Sequence, residues 1–247
     1  MSIFSTQEQL KDIKKILSGY IRLPFSGENI PGAIMEAVLA KVQDGEVLNT
    51  YDFVDVISKE SHCGWQVKST KEDTPVTWKR AKLPNQDDLI KDSRKDKKGA
   101  QALGDAIIDF CNNHAVHSFE RYDLSEIGYC RLIIHDSGQI TYFEKLLCVR
   151  DKPAIFDKTD FLWSWSSPKN SMKKEQLPAL HGIHKPSKDK WWAWHGLGEN
   201  QLHFSGEKAW WPKQSDSHAI TFARPSENEK ISLERFFEFL LELDNPA

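Results

Sequence analysis

Cysteine is scarce and scattered. The chain has four, Cys63, Cys111, Cys130 and Cys148, with no C-x-x-C pair among them. That spacing argues against a zinc finger. A secreted disulfide scaffold would be smaller and richer in cysteine. No apolar run is long enough to cross a membrane. The opening "MSIFSTQEQLKDIKKIL" is polar and charged and lacks the apolar core of a signal peptide. An excess of one charge is missing too: 33 lysines and arginines stand against 36 aspartates and glutamates, a net charge of −3. Such a balance neither supports nor excludes nucleic acid, because local patches bind phosphate and averages do not. No internal repeat is visible. These absences predict a reduced, cytoplasmic protein without a membrane partner.

What is present is 247 residues with ordinary apolar (39%) and charged (28%) fractions, enough for one large domain or two small ones. Ser5 and Glu8 predict an S-x-x-E capping box. The helix it opens carries Leu10, Ile13, Leu17 and Ile21 at helical spacing. Pro24, Gly27 and Pro31 break the pattern, and Pro31 suits the first turn of a second helix that ends near Gly45. Residues 51–58 and 63–70 read as a β-hairpin around "KESH". "TPVTWKRAKLP" reads as extended, and "NQDDLIKDSRKDKKG" as an exposed charged run. "AQALGDAIIDFCNNH" predicts a helix, and "GYCRLIIHDSGQITYFEKLL" a hairpin turning at Asp136-Ser137-Gly138. After residue 150 the composition shifts to proline, lysine and most of the nine tryptophans, and "SLERFFEFLLEL" closes the chain as an amphipathic helix. The predicted class is α+β, with α/β/α layers about a mixed central sheet. Residues 1–150 form its core. Residues 151–247 form a Trp-rich β elaboration with the closing helix, either a subdomain or one face of the same domain.

The chemistry lies in "YDFVDVISKESHCGWQVKST", residues 51–70. Side chains alternate along a strand, so Gln66 and Lys68 share one face while Trp65 and Val67 share the other and read as core. A lysine on the inside of a sheet needs a partner. Asp52 or Asp55 supplies it. With a four-residue turn at 59–62 Asp55 stands opposite Gln66; with a three-residue turn or a bulge Asp52 moves opposite Lys68. A carboxylate for a divalent metal, an oxygen ligand beside it and a nearby lysine are what phosphodiester hydrolysis uses. Magnesium keeps waters, so few protein ligands suffice. The competing reading is a half-solvated hairpin whose Asp–Lys pair contributes only about 0–1 kcal/mol.

At these residues the chain resembles the PD-(D/E)xK nucleases, and among them the type II restriction endonucleases. The helix at 31–43, the aspartate strand "YDFVDVI" and the element "QVK" stand in the family's order. The following helix 99–114 and hairpin 128–147 continue it. The resemblance implies an αβββαβ nuclease core within residues 1–150. It implies Mg2+, for which Mn2+ may substitute, held by Asp52, Gln66 and Glu36, with Lys68 acting on the attacking water. "YDFVD" is similar to the D-x-V-D wording of some restriction enzymes, which favours Asp52 and leaves Asp55 as the alternative. Tyr51 stands where proline is common. Gln66 stands where a carboxylate is usual; at an effective dielectric of 20 and 4 Å, the missing charge forfeits about 4 kcal/mol of attraction per unit charge on the metal.

The implied activity is specific cleavage of double-stranded DNA by a homodimer. A cognate methyltransferase is expected as a genetic neighbour, in a bacterial or archaeal cytoplasm. Ser69, Thr70, Thr74, Thr77, Lys79 and Arg80 are the candidate phosphate contacts. Asn200, Gln201 and His203 are the candidate base readers, against a competing reading in which the tryptophans around them are simply a β core. Two alternatives stand beside this one: a catalytically weak nuclease-fold module that binds nucleic acid, and a repair or toxin nuclease of the same fold.

Overall fold

The computed structural model describes residues 2–50, 52–171, 174–213 and 216–243. In chain order the elements are α1 (Gln7–Ile21), α2 (Gly32–Val42), β1 (Glu46–Val47), β2 (Val56–Ser58), β3 (Cys63–Lys71), β4 (Val76–Arg80), α3 (Gln86–Ser93), α4 (Lys97–Tyr122), β5 (Glu126–Ile134) and β6 (Gln139–Val149). There follow β7 (Phe161–Trp165), β8 (Lys169–Ser171), β9 (Lys174–Gln176), β10 (Leu180–His184), β11 (Lys190–Trp194), β12 (Gln201–Phe204), β13 (Ala219–Ala223) and α5 (Leu233–Leu243). The class is mixed α+β. One sheet has the order β1-β2-β3-β5-β6-β13, a second the order β4-β12-β11-β10-β7, and β8 and β9 form a two-stranded ribbon.

The first helix starts one residue later than expected. Thr6 is its N-cap, and Thr6 with Gln9 closes the capping box. Ser5 is taken elsewhere: its N–H and hydroxyl donate to the buried Glu144 carboxylate at 2.6 and 2.5 Å. The stripe Leu10, Ile13, Leu17 and Ile21 is buried as expected. The run "NQDDLIKDSRKDKKG" differs from expectation, because α3 forms within it. Asp87 and Asp88 in its first turn complement the helix dipole, and Leu89 and Ile90 pack against the core. The next helix is also longer than its apolar pattern indicated, 26 residues ending at Asp123 in the left-handed region.

In the 51–70 stretch the turn has four residues. Ser58 pairs with Cys63, and β2 is antiparallel to β3. The first strand is shorter than the reading of 51–58, since only three residues keep strand geometry. After α4 the chain returns in β5, parallel to β3 over its whole length. Such a parallel pair requires a crossover, and α4 is that crossover.

Composition shifts near residue 150, but strands are exchanged across that point. The early strand β4 pairs with β12 in the second sheet, and the late strand β13 pairs with β6 in the first. Two apolar layers result. The helices α1 and α2 cover one face of the first sheet, against Trp65, Val67, Cys130 and Leu132. The other face, with α4, meets the second sheet around Trp78, Trp163, Trp192 and Trp194. These four tryptophans are at most 4% exposed, so they are core. Gly104 on α4 is part of that fit: a β-carbon there would lie 2.0 Å from the Trp163 ring. The four cysteines are free and buried. Among the described residues no helix is long and apolar enough to cross a membrane.

Candidate active site

Asp55 stands just before β2, whose antiparallel register pairs Val56 with Trp65, the residue before Gln66. The Asp55 N–H donates to the Trp65 carbonyl at 2.8 Å. The Asp55 carboxylate accepts the Val67 N–H at 2.7 Å and lies 3.6 Å from the Lys68 ammonium. Both side chains are largely covered, at 25% and 19% exposure. Lysine and aspartate are thus held together at the rim of the sheet, short of full burial.

Asp52 has other partners. Tyr122 donates its hydroxyl to it, Thr50 donates at 2.7 Å, and the Arg121 guanidinium lies 3.1 Å away. Burial pushes the Asp52 carboxyl up, but the hydrogen bonds from Tyr122 and Thr50, with the Arg121 and Lys79 charges, outweigh it and hold the group below its ordinary value. The geometry therefore brings Asp55 to Lys68 and sets Asp52 against α4. A cavity of about 440 Å³ opens there, lined by Asp52, His114, His117 and Arg121 among others. Tyr51, the residue in the usual proline position, lies outside the described residues.

Gln66 is 2% exposed. Its amide nitrogen donates to the Trp78 carbonyl at 3.3 Å, while its carbonyl oxygen is buried without a partner among the described residues. A buried acceptor left unpaired costs about 1–3 kcal/mol. The unpaired oxygen fits the role of a neutral ligand to a hard cation. Among the described residues no three His, Cys, Asp or Glu side chains converge as a metal cage; magnesium, which retains waters, does not require one.

Glu36, on α2, feels the charges of Asp55 and Lys68. Burial raises its carboxyl, the Asp55 charge raises it further, and Lys68 opposes them. Because the folded value is raised, the stabilising contribution of the protonated form is complete below the unfolded value. It is lost as pH rises through the folded one. Glu36→Gln, which cannot ionise, is therefore expected to gain stability relative to the parent between pH 4 and pH 7. Urea midpoints at both pH values measure this; an equal difference at both shows that Glu36 carries no such load.

Lys79 belongs to this cluster too. Burial lowers its ammonium, Asp52 and Asp55 oppose the shift, and Lys68 adds to it. Sequence reading placed it along a DNA backbone. The charges of Asp52 and Asp55 both act on it, and no spacing within β4 signals that. The other candidate contacts divide. The Ser69 hydroxyl donates to the Ile30 carbonyl at 2.7 Å. Thr70 accepts from the Arg131 guanidinium at 2.8 Å. The Asn200 side chain accepts from Gln86 at 2.9 Å, within a loop where its φ is +56°. Thr74 is exposed. The β4–β12 pairing joins distant segments: Thr77 stands opposite His203 and Arg80 opposite Gln201. His203 approaches the Gln201 oxygen at 3.0 Å, and burial lowers its imidazole. Tyr122 and Arg121, which hold Asp52, carried no signal in the sequence beyond membership of a helix.

No protein-family model, curated protein or solved structure matches this chain.

Proposed function

We propose that the chain is a magnesium-dependent endonuclease of the PD-(D/E)xK kind, acting on double-stranded DNA. One observation carries the reading. Asp55, just before β2, meets Lys68 of β3, with Gln66 two residues before Lys68 on the same strand, in a sheet whose next strand, β5, runs parallel to β3 after a helical crossover. In chain order the elements are α2, β1, β2, β3, β4, α3, α4 and β5; with β4 and α3 taken as an insertion before the crossover helix, they are compatible with an αβββαβ core. Asp55 and the Gln66 oxygen are the ligands, with Glu36 as a further carboxylate. A bound magnesium ion supplies charge neutralisation and an acidified water. Lys68 is aimed by Asp55 toward the same place, where its ammonium orients the nucleophile and offsets charge on the phosphate. Thr77, Arg80, Gln201 and His203 form a polar strip suited to DNA.

Phage DNA incubated with the protein and magnesium is expected to yield discrete bands, from specific cleavage by a homodimer. Bands without sequence definition indicate a repair or toxin nuclease of this fold. No cleavage of any DNA or RNA in magnesium or manganese sinks the enzyme reading.

The neutral Gln66 favours a second reading, a nuclease-like module that binds nucleic acid without cutting. Gln66→Glu separates the two, with magnesium affinity read by calorimetry. The substitution adds a full charge at the ligand position, and about tenfold tighter binding is expected. Unchanged affinity removes Gln66 from the site.

A further inference from the structure

The helix α5 leaves most of its apolar surface to solvent. Leu233, Phe237, Leu240 and Leu241 follow one another at i, i+4, i+7 and i+8 on one side. Glu234, Glu238 and Glu242 form a row on the adjoining side. Phe236 stands edge-on to Phe25 at 5.6 Å, anchoring the helix to its own chain. Leu233, Phe237, Phe239, Leu240 and Leu241 are 41–68% exposed, and Phe25 beside them is 69% exposed.

Monomeric proteins rarely expose a contiguous apolar patch above a few hundred Å². These six side chains, each roughly half open, present on the order of 600 Å². Two such patches joined would bury about 1,200 Å², the lower bound for a specific stable interface.

We infer that α5 is a dimerisation helix, and that its occupant is a second copy of this chain. Charge supports the choice. The α5 segment is tied to the end of α1: the Ile231 N–H donates to the Arg22 carbonyl at 2.9 Å, and Lys230 to the Ser26 carbonyl at 3.0 Å. The outer side of α1 exposes Lys11, Lys14 and Lys15, three lysines against two exposed acids, Glu8 and Asp12. Each copy therefore offers one apolar face and one acidic edge on α5, and a lysine-bearing flank on α1. A two-fold contact uses the same patch on both copies, so the acidic edge of each α5 meets the lysine-bearing flank of the other copy's α1. A membrane surface is the poorer match, since helices that lie on anionic lipid carry lysine and arginine on the polar face, where α5 carries glutamate. The inference does not depend on the chemistry of Asp55 and Lys68.

Sedimentation velocity on the full chain tests it. At low-micromolar concentration the species is expected at twice 28.4 kDa. Phe237→Glu with Leu241→Glu is expected to sediment as a monomer with an unchanged circular dichroism spectrum. Glu238→Lys is expected to weaken the dimer about tenfold, and adding Lys15→Glu to restore it. A parent that stays monomeric at high concentration overturns the inference, as does a dimer that survives the double glutamate. A monomer that floats with lipid vesicles overturns it in favour of an interfacial helix. If the double glutamate fails to fold, the Glu238–Lys15 exchange decides: no loss followed by no rescue counts against the interface.

Discussion

Asp55→Asn and Lys68→Ala are each expected to lower DNA cleavage by about 10²–10³-fold or more while the protein stays folded and still binds DNA. The Asp55 carboxylate has two tasks. It accepts the Val67 N–H at 2.7 Å, and it faces Lys68 at 3.6 Å. Asparagine preserves an acceptor for Val67, so β2 and β3 remain joined, but it removes the charge that positions the ammonium and would hold a cation. Asp52→Asn is the contrasting variant. Its carboxylate answers Tyr122, Thr50 and Arg121, so its loss falls first on stability. Losing charge-assisted hydrogen bonds at this partly exposed position costs about 1–2 kcal/mol, and cleavage is expected within about tenfold of the parent. Single-turnover cleavage of plasmid, with urea midpoints for each variant, separates the two effects. An inactive Asp52→Asn beside an active Asp55→Asn would reverse the assignment.

The frame of this cleft was legible because it rests on local rules. The parity of Gln66 and Lys68, the apolar stripe of α1 and the Gly138 turn between β5 and β6 each depend on neighbours in sequence. The turn at 59–62 has four residues, and Asp55 is the aspartate that meets Lys68, while the verbal likeness of "YDFVD" favours Asp52. The rest is non-local. The capping box moved to Thr6 and Gln9 because Glu144, more than a hundred residues away, claims Ser5. The exposed charged run formed α3 because Leu89 and Ile90 found the core. The division near residue 150 followed composition, while β4 and β13 pair across it. Lys79 illustrates the limit best: it lies on β4, in the second sheet, yet it feels the charges of Asp52 and Asp55 beside the first, and no spacing within β4 encodes that.

Glu207→Gln is expected to destabilise the fold by about 3–5 kcal/mol, the cost of leaving a buried charge without its counter-ion. Arg131 and Glu207 are 0% and 3% exposed. The Arg131 Nε lies 2.9 Å from both Glu207 oxygens, and Tyr129 also donates its hydroxyl to Glu207. Glutamine keeps acceptor capacity for Tyr129 but leaves the guanidinium without neutralisation. Arg131→Met strands the carboxylate in the same way, and a loss of similar size is expected. The paired replacement, Arg131→Met with Glu207→Leu, is expected to cost less than the two single losses added together, because it removes both desolvated charges. It still leaves Tyr129 and Thr70 short of partners, so recovery is partial. The network bears on the cleft as well. Arg131 stands in register with Lys68 on the neighbouring parallel strand, and its guanidinium holds Thr70 at 2.8 Å, two residues beyond Lys68. Glu207 belongs to a short 3-10 turn of the C-terminal half. The pair therefore ties that half to the strand that presents Lys68. Urea unfolding monitored by fluorescence and circular dichroism measures the loss; a change below about 1 kcal/mol for Glu207→Gln would mean that water reaches the guanidinium once the carboxylate is gone.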